Sequence, residues 1–199
     1  MGHPATADKP AGERSFDALR TVRRWTARLA LELLPETNQP KVEIIDGSVI
    51  VSPHATFDHQ DVQFELVSRM RRPARSVGLK AIHEINVISG DDLYIPDLAV
   101  VRGDQGGRVA VAIADAVLLG EITSPGNRRK DVIDRRREYA EAGVEWFLLV
   151  ELRDRRPILI LHRLRDGAYV EVTRAQRGES FAMTEPFVFE VDPAELLDS

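Results

Sequence analysis

Apolar positions first recur every three or four residues, at Leu19, Val22, Trp25, Leu29 and Leu33, until Pro35 closes the run. That is the period of a helix with one buried stripe. Ser15 stands where a capping side chain belongs, so the spacing predicts a helix over 15–34. The period then falls to two. Val42 to Ile45 and Ser48 to Val51 flank Asp46-Gly47, the dipeptide that supplies the positive backbone angles of a tight hairpin. Val62, Leu66, Val67 and Met70 restore the helical spacing between Pro53 and Pro73, which predicts a second helix over 58–72.

Strands are expected next at Leu79–Ile88, Asp97–Val101 and Ala116–Thr123, the last two apolar enough to be covered on both faces. Gly126 or Asn127 opens a third expected helix that runs to Ala142 and is ended by Gly143. Further strands are expected at Glu145–Glu151, Pro157–His162, Tyr169–Thr173 and Phe187–Val191, with turns at Asp166-Gly167 and Arg177-Gly178. Helix, hairpin, helix, strands, helix, strands is the order of an α/β or α+β domain, in which a central mixed sheet is flanked by helices.

Length and composition narrow this picture. At 199 residues the default is one domain with one core, expected over 15–199, behind a proline- and glycine-containing flexible tail over 1–14. The tail lacks the apolar core of a signal peptide or anchor, and no run approaches the roughly 20 apolar residues that span a bilayer, so no membrane partner is expected. Cysteine is absent, which removes disulfides, thiolate zinc sites and cysteine nucleophiles and suits a cytoplasmic location. Acids outnumber bases, 32 to 27, so nucleic acid would have to be held by a local basic patch. Only four of the bases are lysines, Lys9, Lys41, Lys80 and Lys130.

Three acids interrupt apolar contexts: Glu43, Asp97 and Glu121. A carboxylate inside an apolar strand costs several kcal/mol unless it is paired or bound to a cation. If the strands of Asp97 and Glu121 are neighbours, the two carboxylates converge on a hard cation such as Mg²⁺, with the carbonyl of Ile122 as a third oxygen. The competing reading is that both acids pair with arginines.

Pro96-Asp97, then Glu121-Ile122-Thr123-Ser124-Pro125, then Asp131, Arg135, Tyr139, Gly143-Val144 and an apolar strand from Trp146 form an ordered series. With Glu43, Asp46-Gly47, Pro53 and His59 upstream, that series resembles the Uma-type family of restriction endonucleases, a branch of the PD-(D/E)xK nuclease superfamily. The resemblance covers about residues 40 to 151. It implies a restriction-endonuclease-like core, Asp97 and Glu121 as metal-binding acids, Glu43 as an auxiliary acid, Mg²⁺ or Mn²⁺ as cofactor and DNA as substrate.

The sequence departs from the superfamily pattern at its lysine. Thr123 stands two residues after the glutamate, and Arg135 stands where the Uma-type family has a lysine on the following helix. Arg135 shares a helical stripe with Asp131 and Tyr139, so it either stabilises charge on the scissile phosphate or forms a surface pair with Asp131. It stays protonated and is no base. His59 matches a position that is often histidine in the resembled family; a capping or core hydrogen-bonding role is the alternative.

Two basic runs are the candidate phosphate contacts: Arg128, Arg129 and Lys130 leading into Arg135–Arg137, and Arg69, Arg71, Arg72, Arg75 and Lys80. Charge runs are also simply solvated helix faces. The expected function is a metal-dependent nuclease acting on DNA. The alternative is a nuclease fold without cleavage that serves as a DNA-binding or assembly module. The apolar carboxy-terminal strands also permit a homodimer.

Overall fold

The structure, a computed structural model, describes residues 22–34, 41–123 and 129–197, with the side chains of 129–133 outside that description. The expected 1–14 tail and the first part of the expected helix, 15–21, lie outside the described residues. Three helices are described: α1 (Ala27–Leu33), α2 (Phe57–Ser76) and α3 (Arg129–Glu141). The first strands are β1 (Lys41–Ile45), β2 (Ser48–Ser52), β3 (Leu79–His83), β4 (Asn86–Ser89), β5 (Asp92–Tyr94), β6 (Leu98–Arg102) and β7 (Ala110–Ala112). They are followed by β8 (Ala116–Thr123), β9 (Trp146–Arg153), β10 (Arg156–Arg165), β11 (Ala168–Ala175), β12 (Phe181–Met183) and β13 (Phe189–Val191).

The described residues fall into two compact units, one up to His54 together with Gly90–Tyr94, the other Ala55–Ser89 together with the chain from Ile95 onward. In the first unit, β1 and β2 pair antiparallel around Asp46 (φ 50°) and Gly47 (φ 78°), the two left-handed angles that the dipeptide predicts. β5 pairs with β1 through Ile44 and Leu93, and the Asp92 carboxylate accepts the Asp46 N–H at 2.9 Å. The first helix is shorter than its periodicity implies. Thr26 is extended and its hydroxyl accepts the Leu29 N–H at 3.2 Å, so helix begins only at Ala27, while the Trp25 N–H is taken by the Gly47 carbonyl.

In the second unit a six-stranded sheet runs in the order β11-β10-β9-β8-β6-β3. β8 and β9 are parallel, joined through α3, and the other pairs are antiparallel. Side chains alternate across the sheet. Leu118, Ile122, Leu148 and Val150 enter the main core with Leu66 and Met70 of α2, while Leu119, Glu121 and Phe147 take the opposite sense. That second face meets α3, where the Tyr139 and Phe147 rings lie 6.2 Å apart.

Gly120 carries no Cβ because one would lie 2.6 Å from Leu98 Cγ, so the close approach of β6 and β8 depends on glycine there. Gly143 (φ 77°) ends α3, as expected, with the Val144 N–H returning to the Tyr139 carbonyl at 3.0 Å.

Three sequence expectations need correction. Pro73 does not stop the second helix; it lies inside α2, which continues to Ser76, whose hydroxyl donates to the Pro73 carbonyl at 2.7 Å. The strand expected over Leu79–Ile88 is two strands, broken where Glu84 turns to φ 48°. The expected Phe187–Val191 strand shortens to β13, and β12, which pairs with it, was not expected. Among the described residues no helix is long and apolar enough to cross a membrane.

Candidate active site

The antiparallel register of β6 and β8 pairs Leu98 with Gly120, which sets Asp97, just before β6, beside Glu121 on β8. Both are buried, at 6% and 8% exposure, and both hold hydrogen-bond partners that explain how burial is tolerated. Asp97 Oδ2 accepts the Ile122 N–H at 2.8 Å, so the residue after Glu121 clamps the neighbouring carboxylate. Glu121 Oε1 accepts the Tyr139 phenol at 2.7 Å. Strand and helix thus fix one oxygen on each acid.

The α2 side of the site is built by one helical turn. Thr56 caps α2, its hydroxyl accepting the His59 N–H at 3.4 Å. His59 and Gln63, four residues apart, then share the inward face. His59 Nε2 lies 3.5 Å from Asp97 Oδ2, and Gln63 Nε2 donates to the Asp97 carbonyl at 2.7 Å. The cap is Thr56, so His59 is the residue that meets the acid. The Asp97 carbonyl also accepts the Glu84 N–H at 3.4 Å, so the bend at Glu84 helps to hold the aspartate.

Of the residues singled out from sequence, Asp97, Glu121, Ile122 and His59 come together. Tyr139 joins them through the Glu121 bond, and Arg135 sits one turn earlier on α3, largely buried, with Nη1 2.8 Å from Glu138 Oε2. Thr123, in the place of the superfamily lysine, shares the Glu121 face, and its hydroxyl donates to the Val150 carbonyl at 3.4 Å. Glu151 lies opposite Thr123 in the parallel ladder and pairs with Arg153. Glu43 is buried on β1 in the first unit.

Among the basic candidates, Arg69 is committed to two acids, Glu65 at 3.1 Å and Glu195 at 2.7 Å. Arg72 is exposed on α2. Arg128 and the side chains of Arg129, Lys130 and Asp131 lie outside the described residues. Arg136 is a structural ligand, donating to the Tyr169 carbonyl at 2.7 Å. Arg137 reaches Asp134 and Glu141 at 3.9 and 3.8 Å.

Sequence reasoning missed Gln63 and the Tyr139 to Glu121 bond. The signal for Gln63 was present: a neutral amide placed among Val62, Leu66 and Val67 on the buried stripe of α2 needs a buried partner.

Among the described residues no group of three or more His, Asp and Glu side chains gathers to hold a metal ion. Asp97 and Glu121 offer two carboxylates side by side, with main-chain carbonyls of the strand nearby. Such a set is no closed cage, but it fits a hard cation that keeps several of its waters.

A mixed sheet with α2 and α3 on its faces, bearing one buried acid on β8 and another at the entry to the adjacent β6, is a restriction-endonuclease-like core. A family model described as "Putative restriction endonuclease", Uma2, matches residues 27–194, and the chain belongs to that family. Among solved structures it is similar to one described as "a putative nuclease belonging to DUF820 from Anabaena variabilis ATCC 29413". The likeness is 21% in identity, covers 86% of this chain and 97% of that one, and has a TM-score of 0.66, which shows the shared fold. A DrdV–DNA complex is similar over 62% of this chain and 11% of that one, with 16% identity and a TM-score of 0.39. No curated protein matches the chain.

Proposed function

We propose that this protein is a metal-dependent nuclease that hydrolyses phosphodiester bonds of DNA, with Asp97 and Glu121 holding Mg²⁺ or Mn²⁺. The observation that carries this reading is the pair itself: two buried carboxylates, one on β8 and one at the entry to the adjacent β6, each fixed by a dedicated hydrogen bond, in a chain of this family. An antiparallel ladder turns the amide and the carbonyl of a residue toward the same neighbour. The Ile122 N–H points at Asp97, so its carbonyl serves that side as the third oxygen.

When bound, the cation supplies Lewis acidity toward a phosphate oxygen and lowers the pKa of a coordinated water. The chain's own residues do the rest. The Ile122 amide, Gln63 and the Glu84 amide fix Asp97; Tyr139 fixes Glu121; Arg135, one turn before Tyr139, offers a permanent positive charge for the phosphoryl oxygens. Arg128, Arg129 and Lys130 hold the phosphate backbone.

The test is cleavage of DNA and RNA by purified protein in Mg²⁺ or Mn²⁺, with parallel calorimetric metal titration of wild type and Asp97→Ala. Metal-dependent cleavage and a metal site lost in Asp97→Ala support the reading. No cleavage of either nucleic acid, with no titratable site sensitive to Asp97, overturns it.

One observation favours a second reading, a nuclease fold that binds without cutting. Neither lysine position holds a lysine: Thr123 is turned to the Val150 carbonyl and Arg135 to Glu138. DNA binding retained in an Asp97→Ala, Glu121→Ala double variant, together with no cleavage by wild type, selects it.

A further inference from the structure

Helix α2 buries one face through His59, Val62, Leu66 and Met70, yet the opposite face carries two large unburied rings. Phe57 is 87% exposed and Phe64 62% exposed. At about 3.6 residues per turn, positions 57, 64 and 71 fall on one stripe within about 40° of each other. Gln60, Ser68, Arg71 and Arg75, all exposed, complete it. Asp58 and Glu65 stand off this stripe and are already engaged, Asp58 with Arg155 at 3.3 Å and Glu65 with Arg69 at 3.1 Å, while the exposed Asp61 borders it beside Phe57 and Phe64.

The stripe reads nearly the same chemistry outward from its middle. Phe64 is seven residues from Phe57 on one side and seven from Arg71 on the other; Gln60 and Ser68 are each four away. We propose that this stripe is the interface with a second copy of the chain, two α2 helices packing antiparallel about a twofold axis at Phe64. In that arrangement Phe64 meets its own equivalent, Phe57 lies against Arg71 and Arg75 of the second copy, and Gln60 meets Ser68. The contacts are ring on ring, guanidinium on ring and amide to hydroxyl, each self-complementary as a twofold interface requires.

Nucleic acid is the less fitting occupant. The stripe lies across the helix from His59 and Gln63, so a strand resting on it is turned away from Asp97 and Glu121. The inference stands independently of the nuclease reading.

The chain has no cysteine, which makes a direct test available. Facing helices about 8–10 Å apart, with Cα atoms about 2.3 Å from each axis, bring the two Cα atoms of a twofold residue within disulfide reach. Phe64→Cys is expected to form a disulfide dimer under mild oxidation, whereas Val172→Cys, exposed on β11, is not. Light scattering is expected to give twice the chain mass for wild type. Phe64→Glu, a substitution at an exposed site that leaves the far-UV circular dichroism of the folded chain in place, weakens the dimer on the order of 30-fold or more, as a central aromatic anchor does.

Three results overturn the proposal. The wild type is monomeric at micromolar concentration; or a dimer persists unchanged in Phe64→Glu while Val172→Cys cross-links, which assigns the contact to the carboxy-terminal strands. In the third, Phe64→Glu loses only DNA affinity, with no change in mass, which assigns the stripe to nucleic acid.

Discussion

The phenol of Tyr139 donates a 2.7 Å hydrogen bond to Oε1 of Glu121, so the last turns of α3 fix a carboxylate buried in the strand that precedes that helix. The phenol ring is itself fully buried against Phe147. Tyr139→Phe keeps the ring and removes only the donor. Folding is expected to lose about 1–3 kcal/mol, the cost of leaving a buried acceptor short of a partner. Metal affinity or turnover is expected to fall about 10–100-fold, as it does when a residue that orients a ligand is removed. Thermal unfolding and a Mg²⁺ titration of the cleavage rate read the two effects separately.

Asp97 has the corresponding support from α2. Gln63→Leu fills the same volume without the 2.7 Å donor to the Asp97 carbonyl, and His59→Ala removes the imidazole 3.5 Å from its carboxylate. Each is expected to lower cleavage about 10–100-fold with the fold intact. Because the two side chains grip different atoms of one residue, the double variant is expected to cost less than the product of the singles. A double-mutant cycle on single-turnover rates measures that coupling.

Gly120→Ala tests the packing that brings the acids together. A Cβ there meets Leu98 Cγ at 2.6 Å and Cδ2 at 2.9 Å, so β6 must move or Leu98 must leave its rotamer. A loss of about 1–3 kcal/mol is expected from overpacking. Leu98→Ala on the same background makes room and recovers part of that loss. Denaturant unfolding of the two single variants and the double checks it. Cleavage by Gly120→Ala is expected to fall as well, since Leu98 is the neighbour of Asp97.

Much of this fold is legible in the spacing of apolar residues, because α2, α3 and the β8 and β9 strands bury one stripe or both faces and the code for that is local. Asp46-Gly47 and Asp166-Gly167 likewise announce their turns, with φ values of 50° and 78°, and 48° and 80°. The failures are where a distant partner decides. Pro73 is tolerated within α2 although its ring removes a helical donor. Glu84 breaks a strand because its amide is drawn to the Asp97 carbonyl.

In the site, the two acids were legible as polar residues in apolar strands. Their supports were legible only as far as the need of a buried Gln63 amide for some partner. Nothing local to Tyr139 or Gln63 states that one will reach Glu121 and the other Asp97.

A separate pH effect is expected from His162. It is 4% exposed on β10, its Nδ1 has no hydrogen-bond partner, and burial, with the charge of Arg136 second, holds its pKa below the ordinary histidine value. The folded state therefore binds fewer protons than the unfolded state once the pH drops below about 6.5, and stability declines as the pH falls from there toward the lowered folded value. Thermal midpoints of wild type are expected to decrease between neutral and mildly acidic pH. His162→Leu is expected to flatten that portion of the profile.

The central claim, that Asp97 and Glu121 together support metal-dependent cleavage, is tested most directly by supercoiled plasmid incubated in Mg²⁺ with wild type, Asp97→Asn and Glu121→Gln side by side. Both substitutions keep the size of the side chain and remove its charge. The account predicts nicked and linear DNA with wild type, blocked by EDTA, and no product above background with either variant. Cleavage by wild type that survives in Asp97→Asn and Glu121→Gln would contradict it.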